Sequence, residues 1–172
     1  DPSQANVDFT RFNWIGVVSS AFFVCYGYGP NGVHSWNDMM SRKQFILGAT
    51  GRGGDNYVAA SILRDVFHAP IKLVLGYPGQ AERVIEIERG ELDGDCGSIA
   101  SIPIEWLRDG TAHIFVRFSE QNIPEIPETA PYIGTFANSE DNLQLVSLLT
   151  GAIDKVGRPL IMSRQVPSDR VA

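Results

Sequence analysis

An apolar run that breaks into a glycine-rich turn and then opens a helix constrains this chain more than any other feature. It reads Gln44-Phe45-Ile46-Leu47-Gly48-Ala49-Thr50-Gly51-Arg52-Gly53-Gly54-Asp55-Asn56-Tyr57. Glycines let the backbone take positive φ and bring N–H groups close to a ligand. A helix starting near Gly54 aims its unpaired N–H groups and positive dipole end into the turn. Strand, glycine turn and helix in that order make an anion site, and the rest of the chain decides between a dinucleotide phosphate and a small carboxylate.

The periodicity around this turn predicts alternating strands and helices. Trp14 to Tyr28 is rich in β-branched and aromatic residues and reads as two strands, or one long bent one, broken at Ser19-Ser20. Ser35 is an N-cap for a short helix from Trp36 to about Arg42, and a strand follows at Gln44 to Leu47. Tyr57, Val58, Ile62, Leu63, Val66 and Phe67 recur at helical spacing, which predicts one amphipathic helix over 55–67. Strands are expected at 71–75, 94–97 and 113–118, helices at 80–89 and 139–149, a helical turn at 103–108, and a last strand near 157–162. Residues 122–132, with Pro124, Pro127, Pro131 and several acids, read as a loop. The alternation indicates an α/β fold built on a parallel sheet.

Composition removes several function classes. The 172 residues are 44% hydrophobic with a formal charge of −6, so one domain can bury a proper core, and no concentrated basic face is available for a nucleic acid. No window reaches the length of an apolar membrane span. Cys25 and Cys96 lack CxxC spacing and neighbouring histidines, so no metal site is expected. Buried free thiols are the expectation for these two, with a disulfide between them as the alternative in an exported protein. Residues 1–10 carry no signal-peptide pattern.

Read as a nucleotide loop, Gly48, Gly51 and Gly54 form GxxGxxG. A nicotinamide-dependent Rossmann-type enzyme would then need an acid or arginine at the end of the next strand, about 20 residues on. That strand ends in Leu75-Gly76-Tyr77-Pro78, and no Tyr-x-x-x-Lys pair follows. The second reading takes in more of the chain. Gly48-Ala-Thr-Gly-x-Gly-Gly-Asp55, Gly76-Tyr-Pro-Gly-Gln80 and Glu88-Arg-Gly-Glu-Leu-Asp-Gly-Asp-Cys-Gly-Ser98 occur in that order. Phe9-x-x-Phe12-Asn-Trp-Ile-Gly16, Gly157-Arg-Pro159 and Val166-Pro-x-x-Arg170 flank them. This ordered set resembles the extracytoplasmic solute receptors of tripartite tricarboxylate transporters, the Bug family.

The resemblance implies a type II periplasmic binding protein fold, in which two α/β lobes joined by crossing strands close on a small carboxylate. It further implies a periplasmic, non-enzymatic receptor without cofactor that hands its ligand to membrane transporter subunits. It covers mainly the second lobe: residues 1–34 read as lead-in and interlobe crossing, 35–150 as a Rossmann-like ligand lobe, and 151–172 as the return crossing. The family's N-terminal lobe segment is missing from this expectation. Trp14, Ile15, Phe22, Phe23, Leu160 and Ile161 would then form an apolar surface too large to leave wet, which predicts a homodimer or an intramolecular refolding. An orphan sensor or interaction domain is the third reading.

On the receptor reading, backbone N–H groups of Thr50, Gly51, Arg52, Gly53, Gly54 and Asp55, with the Thr50 hydroxyl, receive the carboxylate. Tyr77 and Gly79 line the opposite wall, and Ser98 and Ser101 lie at a strand's carboxyl end, where open α/β sheets place ligands. Each has a plainer role beside it: a ligand-free turn, helix capping by Asp55 and Asn56, a core tyrosine, or turn capping by the serines. Glu86, Glu88, Glu91, Asp93 and Asp95 read as a solvated face, and His34, His68 and His113 as scattered.

Overall fold

The computed structural model describes residues 8–19, 21–167 and 170. The lead-in over 1–7, Ser20 of the expected strand break, and Ser168 and Asp169 of the C-terminal motif lie outside the described residues. In chain order come β1 (Phe12–Ser19), β2 (Phe23–Tyr28), α1 (Trp36–Ser41), β3 (Phe45–Ala49), α2 (Asp55–Ser61) and β4 (Ile71–Leu75). They are followed by α3 (Gln80–Glu88), β5 (Gly94–Ser98), α4 (Ile104–Arg108), β6 (Ala112–Arg117), α5 (Glu140–Val156) and β7 (Arg158–Ser163).

Five strands form one sheet in the order β4-β3-β5-β2-β6. β3 is parallel to β4 and to β5, whereas β2 runs antiparallel to both its neighbours, β5 and β6. The expected parallel sheet is therefore present with one strand reversed. The reason is the route of the chain: β2 enters from β1 at the end of the sheet where the parallel strands finish, pairing Phe23 with Ser98.

Alternation along the strands splits the core into two layers. Phe23, Cys25, Phe45, Leu47, Cys96 and Phe115 face Trp36 and Met39 of α1, Ala59 and Ala60 of α2, and Val146 of α5. Val24, Tyr26 and Ile114 face Ile87 of α3, Trp106 of α4, and Ile126 from the proline-rich loop. Helices thus cover both faces, as parallel strands require. Arg117 fixes the loop after β6: its guanidinium donates to the carbonyls of Ser119, Ala130 and Gln121, the last two at 3.1 and 3.2 Å.

Two helices differ from the expectation. The helix after the glycine turn is α-helical only to Ser61; its last turn, Ile62–Val66, widens to π geometry before His68 turns out at φ 56 ahead of Pro70. α5 runs through Gly151 to Val156 and stops at Gly157, whose φ is 49. An interior glycine costs only about 1 kcal/mol, too little to end a 17-residue helix.

Cys25 and Cys96 are bonded to each other, which corrects the expectation of free thiols. They stand directly opposite on β2 and β5 with Cα atoms 4.1 Å apart, and both are buried. Their wide sequence separation hid a pairing that the antiparallel reversal of β2 creates.

β1 and β7 form a separate antiparallel ribbon, with Phe12 opposite Ser163 and Ser19 opposite Arg158. Trp14, Ile15, Val17, Val18 and Leu160 on this ribbon are exposed. Phe23 is not part of that surface: it is 6% exposed and packs in the core of the five-stranded sheet. Phe22 and Ile161 are half-buried.

Candidate functional site

The three parallel strands β4, β3 and β5 are neighbours, and their carboxyl ends lead into residues 76–79, 50–54 and 99–103. The fold thereby gathers the sequence-predicted residues at one end of one sheet. Thr50 to Asp55 follow β3, Tyr77 and Gly79 follow β4, and Ser98 and Ser101 end and follow β5. The ribbon joins the sheet at this same end, since the Ile99 N–H donates to the Phe22 carbonyl at 2.9 Å.

Within the glycine turn, Thr50, Arg52, Gly53 and Asp55 are exposed. The Gly54 N–H turns back onto the Gly51 carbonyl at 3.0 Å, and the Asp55 carboxylate accepts from the Asn56 N–H at 2.8 Å. Those two donors are occupied inside the protein. Gly54 itself is the residue before α2, where no side chain caps the helix. A Cβ on it would sit 2.6 Å from Thr50 Oγ1 and 2.7 Å from Asn56 Oδ1, so a larger residue there would have to displace these two side chains.

Asn56 was read from the sequence as a capping residue, and the structure gives it another place. It is buried, and its Nδ2 donates to the Gly48 carbonyl at 3.3 Å, tying α2 to β3. Its Oδ1 is buried without a hydrogen-bond partner. A buried orphan acceptor costs roughly 1–3 kcal/mol.

Below the turn lies a buried ion pair. Asp95 was expected on a solvated face; it is 4% exposed, and its Oδ2 accepts from Arg83 Nε at 3.0 Å. Arg83 also donates to the Gly79 carbonyl at 3.1 Å, and Asp95 Oδ1 accepts from the Cys96 N–H at 2.9 Å. Burial raises the Asp95 carboxyl to about 6, against the lowering effect of Arg83 and the Cys96 N–H. Gly48 makes room for this layer: a Cβ there would meet Leu92, the Arg83 stem and the Tyr77 ring at 2.8 to 2.9 Å. Sequence spacing alone could not pair residues 83 and 95, although a charge at the middle of a helix's apolar face was the available signal.

The remaining predicted residues take defined positions. Tyr77 lies half-buried against the second core layer, and burial raises its hydroxyl above the ordinary value. Gly79 precedes α3 and gives its carbonyl to Arg83. Ser98 is buried, and the Ser101 hydroxyl donates to the Ser98 carbonyl at 2.6 Å.

Two cavities bounded by described residues lie away from this turn. One of about 350 Å³ is lined by Tyr28, Val33, Arg42, Phe45, Ile87 and Asp93 among others, at the amino end of β3. One of about 270 Å³ is formed by Arg117 and residues of the proline-rich loop. His34 and His113, scattered in sequence, come together with ring centroids 3.7 Å apart, and His113 contacts the Gly29 carbonyl at 3.1 Å. Burial, with His34 beside it, lowers His113 below the ordinary imidazole value. Among the described residues no group of three or more His, Cys, Asp or Glu could hold a metal ion.

No protein-family model matches the chain, and no curated protein matches it. Solved structures do. Rpa4515 of R. palustris, solved with adipate, superposes with a TM-score of 0.66 at 15% identity, over 96% of this chain and 52% of that one. MatC of Rhodopseudomonas palustris, with bound malate, gives 0.63 at 17% identity, over 94% and 52%. A TctC solute binding protein from Polaromonas gives 0.65 at 15% identity, over 99% and 55%. The chain has the fold of these solute-binding proteins. It spans about half the length of each of them.

Proposed function

We propose that this chain is the ligand lobe of an extracytoplasmic receptor that binds a small carboxylate and delivers it to membrane subunits of a tripartite tricarboxylate transporter. The observation that carries the reading is the exposed glycine turn at the carboxyl end of β3, on the side where the ribbon leaves the sheet. Backbone donors of Thr50, Gly51, Arg52, Gly53 and Asp55 hold the carboxylate as preorganised dipoles, without a dedicated charged side chain. Arg52 adds a cation at the rim, and Tyr77, Gly79, Ser98 and Ser101 form the flanking walls. Likeness to carboxylate-bound solute-binding structures supports this assignment. The protein acts by binding, and no catalytic step is assigned to it.

Residues 1–34 carry the approach and crossing strand, 35–150 the ligand lobe and 151–172 the return crossing. The buried disulfide supports a periplasmic location, because such bonds persist in oxidising compartments. The nicotinamide-enzyme reading gains nothing from the geometry: β4 ends at Leu75 and leads into Gly76-Tyr77-Pro78, with no acid or arginine there for a ribose or its phosphate. The exposed ribbon residues Trp14, Ile15, Val17, Val18 and Leu160 supply a surface through which two copies pair.

Thermal melting against carboxylates and against NAD and NADP, with the solution mass measured on the same sample, tests the reading. A carboxylate at a hundred times its dissociation constant should add about 2.7 kcal/mol of stability, and the mass should be that of a dimer. A shift with NADP and none with any carboxylate would overturn the receptor assignment.

A further inference from the structure

The buried ion pair beneath the glycine turn ties ligand binding to a proton, an inference that rests on the receptor reading above. Gly94 pairs with Leu47, so Asp95 stands level with Gly48 on β3, two residues before Thr50 opens the turn. At the rise of a strand that separation is about 7 Å. Arg83 spans from Asp95 to the wall of the site. Its Nε donates to Asp95 Oδ2 at 3.0 Å, its Nη1 donates to the Gly79 carbonyl at 3.1 Å, and its Cδ comes within 2.9 Å of where a Cβ on Gly48 would stand. The side chains of the pair are 8% and 5% exposed, so water screens them far less than charges at the surface. The other groups acting on Asp95 are the Cys96 N–H, which donates to it, and Asp55 at the start of α2, which opposes its ionisation. Tyr26 stands opposite it on β2, and burial, with Asp95 beside it, raises that hydroxyl and keeps it neutral. β3 carries no titratable side chain.

Charge balance sets the coupling. With Asp95 ionised, Arg83 and Asp95 cancel, as Arg52 and Asp55 do in the exposed turn, and an incoming carboxylate meets no net positive charge. With Asp95 protonated, Arg83 is left uncompensated beneath the turn and its field draws the ligand in. The effect is reciprocal, because a seated carboxylate and Asp95 are like charges sharing one buried cation, and the ligand therefore makes Asp95 harder to ionise. Burial has already raised that carboxyl to about 6, which leaves it ready to take a proton near neutral pH. We propose that a carboxylate entering the turn brings a proton with it, taken up from solvent by Asp95, so that the receptor binds its ligand more tightly as the pH falls from about 8 to about 6. Asp95 passes from carboxylate to carboxylic acid, and no bond of the ligand is made or broken. It acts through the field of Arg83, as a positioning residue.

Malate and adipate, both largely ionised across this window, are the probes. Titration calorimetry on the full chain should show affinity rising about fivefold from about pH 8 to about pH 6, the linkage expected where the bound anion makes the Asp95 carboxyl about tenfold harder to ionise. Protonation of the acids themselves acts in the opposite sense. At about pH 6.5 the binding enthalpy should be less favourable in imidazole than in PIPES, because imidazole absorbs more heat when it gives up the proton that Asp95 takes. Asp95→Asn keeps an acceptor for Arg83 but cannot titrate; its affinity should not rise toward about pH 6, and its binding enthalpy should be the same in both buffers. If that variant does not fold, the wild-type measurements decide alone. A wild-type affinity that is flat or falls toward the lower pH, an enthalpy that ignores the buffer, or proton uptake that survives Asp95→Asn would overturn the inference while leaving the receptor reading in place. Failure of both acids to bind at either pH would overturn both.

Discussion

Replacing both Cys25 and Cys96 by alanine should lower the stability of the folded chain by about 4 kcal/mol, the chain-entropy value for a loop of this length. The bond closes a sequence separation of 71 residues, across the central pair of strands. In a protein of this size such a loss corresponds to a fall of roughly 10 °C in melting temperature. Urea unfolding of the variant and the wild type, the latter with and without reductant during unfolding, measures it. Because both cysteines are buried in the native state, reductant should act through the unfolded chain and leave the folded protein bonded for longer. Equal stability of the variant and the oxidised wild type would show that the bond contributes nothing, and would remove the argument from the disulfide to an oxidising compartment.

Arg83→Met should be comparably damaging, and its damage should depend on pH. Removing the cation strands Asp95 beneath the glycine turn, and breaking one side of a buried pair typically costs about 3–5 kcal/mol. The sign follows from the carboxyl. Its folded value is raised by burial to about 6 from an ordinary 3.8. In that window the folded chain holds a proton that the unfolded chain releases. The stability this group contributes is therefore full below the unfolded value and is lost as the pH climbs through the folded one. Without Arg83 the folded value rises further. At about pH 5 the variant should lose little beyond the bond to the Gly79 carbonyl, about 1 kcal/mol, and at about pH 8 the full penalty should appear. Unfolding curves of the variant and the wild type at the two pH values, compared as differences, check it. A penalty independent of pH would mean that Arg83 does not alter the protonation of Asp95, and would contradict this account.

Much of this architecture could be read from the amino acids because its signals are local. Ser35 caps α1 through its side chain, accepting from the Asp38 N–H at 3.1 Å, as its position before Trp36 indicates. The apolar alternation of Phe45 and Leu47 finds the core face of β3, and Gly90 turns at φ 79 just past the end of α3. Three features depended on long-range pairing instead. Strand direction is not written in the residues of β2, so neither its reversal nor the Cys25–Cys96 contact it creates could be read from them. Arg83 and Asp95 lie 12 residues apart on different elements, and only the packing of α3 over β5 makes them partners. At the site, the glycine turn was visible as a cluster of glycines after a strand, although none of Gly48, Gly51, Gly53 and Gly54 takes the positive φ expected of it; Gly48 and Gly54 are hemmed in by neighbouring side chains, and Gly51 and Gly53 have open space around them. Asn56 looked like a helix cap, the ordinary role of asparagine at that position, and its burial beneath the turn follows from its bond back to the Gly48 carbonyl.

The central claim, that the turn after β3 holds a carboxylate, is tested most directly by titrating the isotopically labelled protein with malate and following its backbone amide signals by NMR. The largest shifts should fall on Thr50, Gly51, Arg52, Gly53 and Asp55, followed by Tyr77 and Ser98 on the flanking strand ends. Shifts confined to Gly29, Gly32, Ile87 and Asp93, around the cavity at the opposite end of the sheet, would place the ligand elsewhere and contradict the account.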